Sequence, residues 1–108
     1  MTKIAKLSNK SKTTFSPTNG ASWANYGGCY YEVYGQFIHV HLGIGSLTAN
    51  TNTVVYTLPT SIAPSTMIFG TGIGNNLSTM SRAHISTSGA ITVNSAATYC
   101  GAELYYLI

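Results

Sequence analysis

Two histidines stand two residues apart in His39-Val40-His41, a spacing that puts both imidazoles on one face of a β-strand. Such a pair is half of a metal site, and copies meeting at a symmetry axis could supply the rest. Glu32 and Tyr30 are its cross-strand neighbours, however, and no third ligand lies nearby in sequence. No metal and no cofactor are therefore expected, with His39 and His41 the residues that would hold a metal if one bound. Catalysis by paired carboxylates or by a nucleophile, base and orienting acid needs more than this chain offers: its acidic residues are Glu32 and Glu103, and it has no Asp. An enzyme is not expected. Gly70-Thr71-Gly72-Ile73-Gly74 is glycine-rich but lacks the lysine of a P-loop and the spacing of a dinucleotide fingerprint, so it reads as a flexible connection between strands. Cys29 and Cys100 fall on inward positions and read as free, buried thiols, consistent with folding in a reducing cytoplasm, with a disulfide between them as the alternative.

The elements that place these residues are short strands. Gly35-Gln36 suits a two-residue hairpin loop with Gly first, as a type II′ turn prefers. Counting from it pairs Tyr34 with Phe37, Val33 with Ile38, Tyr31 with Val40 and Cys29 with Leu42, which makes one face apolar. The other face carries Glu32 with His39 and Tyr30 with His41, a mixture suited to solvent or an interface. A second hairpin turns at Thr87-Ser88-Gly89. It sets Ile85 against Ile91 and Ala83 against Val93, with His84 and Thr92, Arg82 and Asn94 outward. Thr53 to Leu58 and Thr66 to Phe69 are β-branched and aromatic runs bounded by Pro59, Pro64 and Gly70. From Cys100 the positions Cys100, Ala102, Leu104, Tyr106 and Ile108 alternate inward. The sum is an all-β, jelly-roll-like antiparallel β-sandwich of about seven or eight short strands, without a long helix or a repeat. Residues 1–20, polar and ending in the turn pair Asn19-Gly20, form a lead-in segment, and residues 21–108 the domain.

Charge narrows the partners. Asp, Glu, Lys and Arg make up 6% of the chain, against roughly 25% in an average soluble domain. Interface cores are depleted of charge in the same way, so part of this surface is expected to be buried between subunits, the competing explanation being a neutral polar surface. The net charge of +3 comes from Lys3, Lys6, Lys10 and Lys12. Beyond Lys12 one Arg faces two Glu, and no basic stripe for nucleic acid can form. No apolar run approaches a membrane span and no secretory leader stands at the start, so membrane insertion is not expected. Aromatic rings beside hydroxyl and amide groups suit saccharides, which stack an apolar face and hydrogen-bond through their hydroxyls. The candidate ligand residues are Trp23, Tyr26 and Tyr34, with the outward Arg82 and His84. Packing of these rings at subunit contacts is the competing reading.

With the strands placed, several strings resemble the C-terminal head or tip domains of bacteriophage tail fibres and receptor-binding proteins. They are Gly35-Gln36-Phe37-Ile38-His39-Val40-His41-Leu42-Gly43-Ile44, Leu47-Thr48-Ala49-Asn50-Thr51, Val55-Tyr56-Thr57-Leu58-Pro59 with Pro64, and Arg82 through Val93. The similarity runs from about Gly20 to Ile108, and its motifs mark scaffold, not ligand residues. The resemblance implies a homotrimer of β-sandwich heads on a virion, at a distal tail fibre or baseplate, that binds a host cell-surface saccharide. The alternatives are a fibre trimerisation module without a ligand and a free-standing lectin-like protein.

Overall fold

The two-residue loop predicted at Gly35-Gln36 is present. Gly35 takes φ 62° while Gln36 stays out of the left-handed region, and β3 (Tyr30–Tyr34) pairs with β4 (Phe37–Gly45) through Tyr34↔Phe37, Val33↔Ile38 and Tyr31↔Val40. The computed structural model describes residues 11–19, 21–23, 28–74 and 79–108. Its other strands are β1 (Ser11–Thr14), β2 (Ser22–Trp23), β5 (Thr53–Thr57), β6 (Ile68–Ile73), β7 (Met80–Ile85), β8 (Ala90–Ser95) and β9 (Cys100–Leu107), with one 3-10 turn at Thr60–Ile62. Among the described residues no helix is long and apolar enough to cross a membrane.

The strands form one antiparallel sheet in the order β1-β3-β4-β9-β6-β7-β8-β5, with β2 attached to β4. The sheet curls until its two ends meet. Val55 sits in a bulge between the paired positions Val54 and Tyr56 of β5, and its carbonyl accepts bonds from the Thr18 N–H at 2.8 Å and the Thr18 hydroxyl at 3.0 Å. A bulge breaks the ladder and turns a carbonyl aside, here toward the segment that follows β1. The Phe15 ring then stacks on Tyr56 with centroids 4.1 Å apart. The result is the expected all-β fold, a small sandwich closed toward a barrel.

The inward face is apolar apart from the buried Ser81↔Ser95 pair at one end of β7 and β8. Ile38, Val40, Leu42 and Ile44 of β4 pack in one core with Ile85, Ile91, Val93 and Leu104, all almost fully buried. Each such side chain contributes about 1.5–3 kcal/mol by leaving water. The second hairpin has the expected register, Ile85↔Ile91 and Ala83↔Val93, with Gly89 at φ 90° closing the loop.

Three details differ from the sequence reading. Gly70 to Ile73 is not a loop but the body of β6, pairing with β7 on one side and with β9 through Gly72↔Ala102 and Ile73↔Gly101 on the other. The glycines are there for proximity: a Cβ on Gly72 would lie 2.1 Å from the Gly101 carbonyl oxygen and 2.9 Å from the Ala102 Cβ. Strand order therefore closes at a place where side chains would hold β6 and β9 apart. Second, the fold extends before residue 21, because β1 pairs with β3 and Phe15 belongs to the core. The polarity of residues 1–20 concealed a single buried ring. Third, Ile108 is exposed, its N–H donating to the Gln36 carbonyl at 2.9 Å beyond the edge of the core.

Candidate functional site

Alternation along each strand sends every second side chain to the outer face, and antiparallel register lines those side chains up across strands. Two groups on this face carry chemistry. The first lies on β3, β4 and β9. Pairing of β4 with β9 sets His41 opposite Glu103 and His39 opposite Tyr105, while β3 sets Glu32 opposite His39. His39 Nδ1 lies 2.8 Å from Glu32 Oε1 and its Nε2 lies 2.5 Å from Glu103 Oε1. The other oxygen of Glu103 accepts from His41 Nδ1. An imidazole donates through one nitrogen and an imidazolium through both, so the two His39 bonds form together when the ring is charged.

Rings enclose this row. Tyr105 stacks on His39 at 4.6 Å and 9°, Tyr30 stacks on His41 at 4.8 Å and 17°, and the Lys12 ammonium sits 4.1 Å over the Tyr30 ring. Glu32 and His39, expected to face solvent or an interface, are buried under these rings. No set of three or more His, Cys, Asp or Glu among the described residues is placed to hold a metal. Beside the row, a hollow of about 370 Å³ is bounded by Tyr34, Phe37 and Tyr105 over Glu32 and His39.

The second group lies on β6, β7 and β8. Arg82 and His84 project from β7, flanked by Phe69 on β6 and by Thr92 and Asn94 on β8. With Asn52 they border a hollow of about 200 Å³. Phe69 is 75% exposed, a large ring left in water, and leans on His84 at 6.1 Å. Asn94 Nδ2 donates to Asn52 Oδ1 at 2.9 Å, which fixes both amides at the rim. Arg82 is the chain's single arginine. Both glutamates are held by histidines on the other group, so the fold supplies no acidic side chain to neutralise it.

Arg82 and His84 thus come together, as their i, i+2 spacing required. Tyr34 belongs to the other hollow. Trp23 lies on β2 opposite Ile44, and Tyr26 falls outside the described residues. Phe69 and Asn52 were missed, and Asn94, placed outward beside Arg82, was not among the expected ligand residues. Phe69 was legible as a strand aromatic before a glycine, but its face depends on the β6–β7 register.

The cysteines are free and buried, as expected. Burial pushes both thiols up, against a bond from Cys29 Sγ to the Gly43 carbonyl and one from Cys100 Sγ to the Ser81 hydroxyl.

No protein-family model matches the chain, and no curated protein does. Among solved structures, the receptor binding protein of Listeria phage PSA superposes with a TM-score of 0.68 over 98% of this chain and 70% of its own, at 19% identity. The chain has the fold of a phage receptor-binding protein. The scaffold strings read from the sequence pointed to this architecture. At that identity what is shared with the phage receptor-binding protein is the β-scaffold.

Proposed function

We propose that this chain is a non-enzymatic receptor-binding domain of a phage tail, which attaches to a saccharide on the host cell surface. The observation that carries the reading is the hollow formed by Phe69, Arg82 and His84 on a scaffold shaped like a phage receptor-binding protein. The exposed Phe69 ring offers a stacking platform, Asn52 and Asn94 offer amide contacts, and Arg82 offers an unneutralised bidentate donor. A saccharide carrying a carboxylate or phosphate substituent fits that set. The chain acts as a homotrimer in this reading, since a surface with so few charges and with Met80 and Leu107 exposed is suited to subunit contacts.

Retention of labelled protein on bacterial cell envelopes, competed by polysaccharide released from them, tests attachment. Arg82→Ala and Phe69→Ala should each weaken retention about tenfold, a loss of about 1.4 kcal/mol. Equal retention of both variants would place attachment elsewhere. Light scattering should give three chains per particle. A trimer that binds no envelope would indicate a purely structural fibre module, and a monomer that binds saccharide a free-standing lectin.

A further inference from the structure

The two groups on the outer face are parts of one line. Cross-strand register gives Tyr30↔His41 and His41↔Glu103 on one side, and Thr71↔Arg82 and Arg82↔Asn94 on the other. The β6–β9 pairs Gly72↔Ala102 and Ile73↔Gly101 join these halves, because continuing them by one residue sets Thr71 beside Glu103. The next row follows the same count: Glu32, His39 and Tyr105 on one side, then Phe69, His84 and Thr92. The closeness of β6 and β9 supports the count, since a Cβ on Gly70 would stand 3.2 Å from the Leu104 side chain. Thr71 and Glu103 border a common hollow of about 330 Å³ with His41.

Every histidine, both glutamates and the only arginine of the chain therefore occupy two adjacent rows on one face. Three hollows follow one another along these rows, at Tyr34 and Tyr105, at Glu103 and Thr71, and at Arg82 and His84. They are linked by the Glu103–His39 bond and by the Thr71↔Arg82 pair. Neighbouring strands lie about 4.8 Å apart, so the path from β3 to β8 spans roughly 24 Å across the strands. Exposed rings stand on both sides of its middle, Tyr105 on β9 and Phe69 on β6. A single sugar would use one hollow and leave the others in water.

We propose that the ligand is an extended oligosaccharide of several units lying across the strands, with an anionic substituent at Arg82 and neutral hydroxyl-bearing rings over Glu103, His41 and Tyr105. The proposal rests on the saccharide-binding reading and extends it to the chemical class of the ligand. Carboxylate and imidazole groups hydrogen-bond hydroxyls, and the Tyr105 ring, stacked on His39 and Phe37 but half exposed, offers apolar contact to a pyranose beside the Phe69 platform.

The test uses the full chain, polysaccharides released from bacterial envelopes, and fragments of one, three and six sugar units from the one retained best. Titration calorimetry should show affinity rising about thirtyfold from the single sugar to the six-unit fragment, the mark of added contacts and not of one pocket. Tyr105→Ala and Glu103→Gln should each weaken six-unit binding about tenfold and leave single-sugar binding within about twofold, whereas Arg82→Ala weakens both. Tyr105→Phe, which keeps the ring, should bind six units like wild type. Equal affinity for all three lengths, or unaltered six-unit binding in both Tyr105→Ala and Glu103→Gln, would overturn the path while leaving the Arg82 hollow in place. Absence of binding to every polysaccharide would overturn both the path and the saccharide reading beneath it.

Discussion

Glu32 and Glu103, the only acidic residues of the chain, meet on opposite nitrogens of one imidazole, that of His39. Three strands are tied by this contact, since the residues stand on β3, β9 and β4. Glu32 is buried and Glu103 half exposed, so the two ends of the arrangement differ in energetic weight. His39→Ala takes a charge-assisted hydrogen bond from the buried Glu32 carboxylate and should cost roughly 2–3 kcal/mol. Glu103→Gln, at the wetter end, should cost less than about 1 kcal/mol. Urea denaturation of both variants checks the order, and equal losses would contradict it.

Two glycines should separate proximity from backbone conformation. Gly72→Ala would drive a methyl into the Gly101 carbonyl and the Ala102 side chain, atoms that hold β6 against β9. Loss of folded, soluble protein is expected. Gly35→Ala meets no atom within 4 Å, but φ 62° opposes a side chain. Its cost should be about 1–2 kcal/mol, read as a drop in thermal midpoint with the fold retained.

The buried thiols of Cys29 and Cys100, which burial keeps protonated beyond the usual range, should resist alkylation in the native state. Iodoacetamide at pH 8 should add to neither residue until denaturant is present, when intact mass should rise by two adducts. Prior reduction should change nothing, because the thiols are free.

The Tyr106 hydroxyl donates to the Ile62 carbonyl at 2.7 Å and fastens the 3-10 turn to β9. Burial pushes its ionisation up to about 12. The folded-state value lies above the ordinary 10, so the associated stability is fully present below pH 10 and is lost as pH rises toward 12. Tyr106→Phe should cost about 1 kcal/mol at neutral pH. The wild type should lose stability faster than this variant between pH 10 and 12, which thermal melts across that range will show.

Local signals carried much of the fold. Gly35-Gln36 and Thr87-Ser88-Gly89 fixed two hairpins because turn chemistry sets register, and register then named the inward residues Val40, Ile85 and Ile91 by parity alone. The same counting placed Glu32 beside His39 and Arg82 beside Asn94. Phe15 escaped because one aromatic in a polar stretch has no period to reveal it. The Gly70–Gly74 segment escaped because glycine that permits two strands to touch looks, in sequence, like glycine that permits a loop.

By itself, then, the sequence determined the two hairpins, the inward residues of β4, β7 and β8, and the poverty of acids that leaves Arg82 without a carboxylate partner. Tertiary structure alone decided that β9 lies between β4 and β6, which brings Glu103 to His39 and aligns Thr71 with Arg82. Hairpin pairing is set within a few residues by the turn. The pairing of a last strand with partners far back in the chain is set by close packing at Gly72 and by closure of the whole sheet, which no local pattern records.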